Sequence, residues 1–249
     1  MFIDEQKCIG CAKCIPYCPV QAHYFKRSKA GRTVVVIDQD KCAECGLCLR
    51  MANCYYNAIY QVELDYPREI RALLSDPTIE FKGSNIPGRG TAEIKTNEIT
   101  GRVKWGQVGL ALEMGRPGIS TKWSEVEKMT KALAAIGAEF CQENPVTFFM
   151  KDQKTGELPD ELKEERSISA IIEFDCSMED LPKVLQTIKE TAKTIDTVFS
   201  FPIGVKLLPG GKVPEEFVKM VTEAGFVMSI NSKNNMGFGR PRFNEEGEQ

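Results

Sequence analysis

Eight of the chain's ten cysteines stand in two spaced runs near the N-terminus, Cys8-x2-Cys11-x2-Cys14-x3-Cys18-Pro19 and Cys42-x2-Cys45-x2-Cys48-x5-Cys54. Gaps of two residues let three successive thiolates curl around three corners of one cubane iron–sulfur cluster. The local turn cannot reach the last iron, so a fourth ligand must come from a distant stretch. Zinc sites usually draw on two separated pairs and do not need a third cysteine two residues on. Disulfides require an oxidising compartment, and the opening Met1-Phe2-Ile3-Asp4 has neither the basic nor the apolar region of an export signal. The Cys-x3-Cys-x2-Cys pattern of radical enzymes is absent, because Cys14-x3-Cys18 leads to Gln21 where a third cysteine would be needed. Two cubane clusters are the expectation, with zinc and disulfides as the lesser alternatives.

The same segment carries an internal repeat. Ile3-Asp4 before Lys7-Cys8 reappears as Ile37-Asp38 before Lys41-Cys42, and Cys18-Pro19-x2-Ala22 is echoed by Cys54-x3-Ala58-Ile59. The second copy is stretched by two residues before Cys54 and has Tyr55 where the first has Pro19. In these motifs the segment resembles bacterial-type two-cluster ferredoxins. The resemblance implies two 4Fe-4S clusters, one held by Cys8, Cys11 and Cys14 with Cys54, the other by Cys42, Cys45 and Cys48 with Cys18. The stretch before Cys54 departs from the family pattern and bears only on the cluster that uses Cys54.

The chain has 249 residues, and the ferredoxin-like part occupies only residues 1–62. A hydrophobic fraction of 42% and a charged fraction of 27% describe an ordinary globular chain, with no apolar run long enough to span a membrane. A cytoplasmic protein is expected. The formal net charge is −3, but residues 1–62 carry eight Lys or Arg against five Asp or Glu, which leaves −6 for the rest. Free ferredoxins, as the resemblance implies, are generally strongly acidic. This segment instead holds Lys7, Lys13, Lys26, Arg27, Lys29, Arg32, Lys41 and Arg50. That balance favours a fixed place in a complex, or an acidic partner, over steering of a roaming acidic carrier; a plain solvated set of surface lysines is the alternative. An acidic chain without a basic recognition helix is a poor nucleic-acid binder.

Beyond the second cysteine run, residues 65–74 read as a short helix with Asp65 as cap and Pro67 in its first turn. Residues 63–100 then form a linker, in which Gly88-Arg89-Gly90 offers a weak anion-cradle pattern and more simply a loop. Residues 101–230 follow the order strand, helix, strand, strand, helix, strand. Strands are expected at Val103–Glu113, Ile168–Phe174 and Thr197–Leu207, with Ala138–Cys141 and Val146–Met150 read as one or two more. The first helix is expected after a Ser124-x2-Glu127 capping box, with Val126, Met129, Leu133 and Ile136 on one face; the second carries Val184, Leu185, Ile188 and Ala192. A further helix at Pro214–Ala224 and a strand at Phe226–Ile230 precede a polar tail, 231–249. The fold class is therefore α+β: an N-terminal dicluster ferredoxin domain followed by an α/β sandwich of βαββαβ order. That order is also used by ACT-type small-molecule-sensing domains.

This second part has no readable active site, so no catalytic residue is assigned. Its thiols, Cys141 and Cys176, lie on or beside expected strands as small apolar side chains. Trp105 and Trp123 read as packing residues. His23, the chain's one histidine, reads as a packing residue near a cluster. Two functions survive. The first is an electron-transfer subunit or dedicated carrier that serves a catalytic oxidoreductase partner through two 4Fe-4S clusters. The second is a redox- or metabolite-responsive regulator whose ACT-like part binds a small effector in the crevice at Gly115–Ser120.

Overall fold

The chain is described here by a computed structural model that covers residues 1–79, 103–116 and 118–228. The expected linker motif at Gly88-Arg89-Gly90, the end of the Phe226–Ile230 segment and the tail lie outside the described residues.

The repeat in the sequence becomes a pseudo-twofold in space. β1 (Phe2–Ile3) precedes the first cysteine run and pairs antiparallel with β4 (Ile59–Tyr60), which follows the second. β2 (His23–Arg27) follows the first run and pairs with β3 (Thr33–Ile37), which precedes the second. Each half is thereby stapled to the other. The turn chemistry repeats too. The Asp4 carbonyl accepts from the Cys8 N–H at 2.9 Å, and the Asp38 carbonyl accepts from the Cys42 N–H at 3.0 Å. Between the halves, α1 (Leu47–Met51) takes up the residues that stretch the second run.

The helix expected from Asp65 is shorter than its sequence pattern. α2 (Glu69–Leu73) starts after Pro67, and Asp65 contributes its backbone carbonyl to the Glu69 N–H rather than a side-chain cap. Its arginines lock the two parts of the chain together. Arg68 pairs with Glu44 (Nε–Oε1 2.9 Å) and donates to the Gln39 carbonyl. Arg71, only 4% exposed, donates to the carbonyls of Gln39, Asp40 and Cys42 and forms an ion pair with Glu165. Ser75 Oγ accepts from the Ile168 N–H at 2.9 Å.

Glu165 and Ile168 belong to the C-terminal part, whose core is a sheet of long strands. β5 (Gln107–Met114) pairs antiparallel with β9 (Ala170–Ser177) over their full length. β9 also takes β7 (Glu139–Phe140), while β5 takes β10 (Phe199–Ser200) and β11 (Ile203–Val205) on its other edge. The last expected strand is thus split into two pieces, because Pro202 has no N–H to give to a ladder; its carbonyl accepts from the Ala111 N–H. Last strand, first, third and second is the spatial order of a split β-α-β sheet.

α3 (Trp123–Ala135) and α5 (Leu181–Ala192) cover one face. Val126, Met129 and Leu133 of α3 and Leu181, Val184, Leu185 and Ile188 of α5 share one core with Val108, Leu110, Leu112 and Met114. Each such fully buried side chain contributes about 1.5–3 kcal/mol. α6 (Glu215–Glu223) adds Phe217 and Val221.

Three expectations fail locally. Val146–Met150 is no strand: Pro145 starts a short helix, α4 (Pro145–Phe148), whose first turn is capped by Asn144 Oδ1 accepting from the Val146 N–H at 2.8 Å. The capping box does not form, since α3 begins at Trp123 and Glu127 instead accepts from the Leu158 N–H and pairs with Lys163. Phe226 to Met228 has no ladder; Phe226 packs on Phe201. The segment joining β7 to β9 contributes β8 (Arg166–Ser167), which pairs with β6 (Thr121–Lys122), just before α3, in a small two-stranded ladder.

Candidate metal centres

Two cavities lie inside the pseudo-symmetric unit, and each is lined by four cysteines. Cys8, Cys11, Cys14 and Cys54 line the first, with Ile3, Val35, Ala58 and Ile59. Cys18, Cys42, Cys45 and Cys48 line the second, with Met1, Ala22, His23 and Ile37. Both sets cross between the runs: three thiols come from one and the fourth from the other. Several lining residues correspond across the repeat, as Ile3 and Ile37, Val35 and Met1, Ala58 and Ala22. Cys141 and Cys176 are half-buried in the C-terminal part and line neither.

The loops around the thiols turn their backbone N–H groups inward. Gly10 N–H and Val35 N–H reach Cys8 Sγ, each at 3.4 Å. Ala22 N–H reaches Cys18 Sγ at 3.2 Å, and its repeat counterpart Ala58 N–H reaches Cys54 Sγ at 3.4 Å. Gly10 makes this curl possible, since its φ is +72° and a Cβ there would stand 2.5 Å from the Thr33 carbonyl oxygen. Its counterpart Glu44 holds φ +56° without glycine's freedom. Burial pushes the Glu44 carboxyl up, but the N-terminal ammonium and Arg68 more than offset this and leave it below its ordinary value.

Burial also pushes the thiols up: Cys14 to about 11, with Cys8, Cys11 and Cys54 adding to the rise, and Cys48 to about 12, with Cys42, Cys45 and Cys18 doing so. Cys42 rises to about 11 by burial and by the nearby Glu44 charge. Thiolates in such places need a cation to balance them. Among the described residues, no three His, Cys, Asp or Glu side chains converge on a point where one metal ion could sit. Sulfurs around a single zinc would lie roughly 3.8 Å apart, from a Zn–S bond of about 2.3 Å. The thiols surround a space instead.

Residues 7–58 match the family model described as the 4Fe-4S dicluster domain. The N-terminal unit is a 4Fe-4S dicluster domain. It carries two 4Fe-4S clusters and has an iron–sulfur electron-transfer role. Comparison with curated proteins and with solved structures gives no match for the chain.

The dicluster domain presents its two cavities differently. Around the first, Cys11 is exposed and Ile9 and Tyr55 are 51% and 87% exposed. The second is backed by the carbonyl of Cys42, which Arg71 holds against the C-terminal part at 2.8 Å. Of the basic residues expected to set the domain's partner preference, Lys7, Lys26, Lys41 and Arg50 are paired with Asp4, Glu5, Asp38 and Asp76. Lys13 and Lys29 stand exposed, without an ion pair among the described residues.

In the C-terminal part, Trp123 is fully buried and its Nε1–H donates to Ser167 Oγ at 3.0 Å. At the ends of the expected crevice, Ile119 N–H and Ser120 N–H both donate to the Gly115 carbonyl, and a Cβ at Gly115 would stand 2.8 Å from the Ile168 oxygen. No described helix is long and apolar enough to cross a membrane. Sequence reasoning missed the α2 arginines, and it placed His23 near a cluster only as a packing residue.

Proposed function

We propose that Cys8, Cys11, Cys14 and Cys54 hold the first cluster and Cys42, Cys45, Cys48 and Cys18 the second, and that the chain is the ferredoxin-like subunit or dedicated electron carrier of a larger oxidoreductase. The observation that carries this reading is the sorting of the eight thiols into two crossed sets of four, one per cavity. When bound, the clusters supply one-electron chemistry. The chain's own work is to shape what surrounds them.

Backbone N–H groups on Cys8, Cys54 and Cys18 disperse thiolate charge, which eases acceptance of an electron. The exposed Ile9, Tyr55 and Cys11 make the first cavity the outward contact for a redox partner. The Arg71 clamp makes the second cavity the inward one, fixed against the C-terminal part. With half of its basic side chains already paired, the domain's surface lacks the strong single-sign field of a steered carrier. A standing place beside a catalytic oxidoreductase subunit in the cytoplasm fits that surface.

The test is anaerobic isolation of the native protein from its own cells. A stoichiometric oxidoreductase that co-elutes, and whose own cofactor is reduced or oxidised through this chain, is the expected result. A solitary chain whose clusters exchange electrons with no oxidoreductase fraction would overturn the reading.

A further inference from the structure

The repeat aligns much of the two cavity linings, and one aligned pair sets an apolar side chain against an imidazole. Ile59 lines the first cavity, and the residue that the repeat sets against it in the second is His23. Both sit in the strand that follows a cysteine run, and each faces an isoleucine across its ladder: Ile59 opposite Ile3, His23 opposite Ile37. The backbone therefore presents the two side chains alike. Their surroundings ask for an apolar group, and isoleucine supplies one.

Histidine does not. Both ring nitrogens of His23 are buried and neither has a hydrogen-bond partner. An imidazole carries at least one N–H to give, whichever of its nitrogens holds it. A buried N–H left unpaired is costly, and native structures rarely keep one without a reason. The open side of the ring is the cavity lined by Cys18, Cys42, Cys45 and Cys48. Sulfur of a cluster seated there is the missing acceptor.

We infer that His23 donates a hydrogen bond to sulfur of the second cluster and so raises its reduction potential above the value the same cavity would give with isoleucine. The inference rests on the cluster assignment proposed above. A hydrogen bond to sulfur favours the reduced state, which carries one more negative charge. His23 is thus a tuning residue for the cluster next to the C-terminal part.

The chain's single histidine allows a direct test. In holoprotein labelled with ¹⁵N only at histidine and with both clusters reduced, ENDOR should detect a ¹⁵N coupling to the cluster spins, and a Cys48→Ser variant should lose it. In a potentiometric titration, His23→Ile should lower one of the two midpoint potentials and leave the other unchanged, while His23→Gln, which keeps an N–H, should recover part of the shift. Absence of coupling in the wild type, or two unmoved potentials in His23→Ile, would overturn the hydrogen bond. Should His23→Ile not hold its clusters, the wild-type coupling still decides. Iron and sulfide counted on the same samples separate the two levels. Two cubanes without coupling overturn the hydrogen bond alone, whereas a cubane missing from the wild type overturns the assignment and the hydrogen bond with it.

Discussion

Replacing Arg71 by Met should unlock the C-terminal part from the second cysteine run. Arg71 is 4% exposed, and its guanidinium serves four acceptors at once: the Gln39, Asp40 and Cys42 carbonyls at 3.0, 3.2 and 2.8 Å, and the Glu165 carboxylate. Methionine fills much the same volume but donates nothing. It leaves Glu165, whose side chain is 13% exposed, without its cation. Removing one partner of a buried pair costs about 3–5 kcal/mol; the access of Glu165 to water sets the expectation near the lower end, about 3 kcal/mol. Against a typical total of about 5–15 kcal/mol this is a large fraction.

The chain offers two separate signals for the measurement. Trp105 and Trp123 are its only tryptophans and both lie in the C-terminal part, so fluorescence follows that part while cluster absorbance follows the dicluster domain. In urea the two transitions of the wild type should coincide, and in Arg71→Met they should separate. Arg71→Lys should fall between, because one ammonium cannot span three carbonyls and a carboxylate. Arg71→Met with Glu165→Leu should recover part of the loss, since no charge is then stranded. A loss under about 1 kcal/mol with coincident transitions would refute the clamp.

Cys54→Ser should lower iron from about eight to about four per chain and leave the cluster of the other cavity in place; equal loss of both clusters would point to a role in folding instead. Trp123→Phe should cost about 1–3 kcal/mol, because Ser167 loses its buried donor, and thermal unfolding followed by far-UV circular dichroism reads it. Glu125 gives a pH-dependent case: burial pushes its carboxyl up, but Lys128 and the Asp196 N–H more than offset this and hold it below its ordinary 4.5. A depressed pKa contributes stability that is present above the unfolded value and lost as pH falls through the folded one. The gap in melting temperature between wild type and Glu125→Gln should therefore be widest near neutrality and narrow below pH 4.5; a gap independent of pH would contradict the assignment.

The parts of the fold legible in the sequence are those set by local chemistry. Two-residue cysteine spacings constrain a backbone within a few residues, and the apolar periodicity of Val126, Met129 and Leu133 marks a helix that the core then uses. What escaped depends on neighbours distant in sequence. Glu127 reads as half of a capping box until Lys163 and the Leu158 N–H claim it. Arg71 looks like one more surface arginine on a short helix, and only the folded chain brings Glu165 to it. Two misses left signals behind. Asn144-Pro145 is a helix start that outweighs the β-branched and aromatic residues after it. The repeat, carried two residues past Ala22, sets His23 against Ile59 and so points into a cavity.

The crossing of the cysteine sets bears on how the domain can come into being. A chain emerging from the ribosome can present three thiols of the first set once Cys14 is out, but the set closes only when Cys54 follows, forty residues later. Cys18 waits in the same way for Cys42, Cys45 and Cys48. At roughly 5–20 residues per second that interval lasts about 2–8 s. Through it, neither half is a vessel. Cutting the turn between β2 and β3 would give two fragments, each with three thiols of one set and one of the other, so cluster loading and the joining of the halves are a single event.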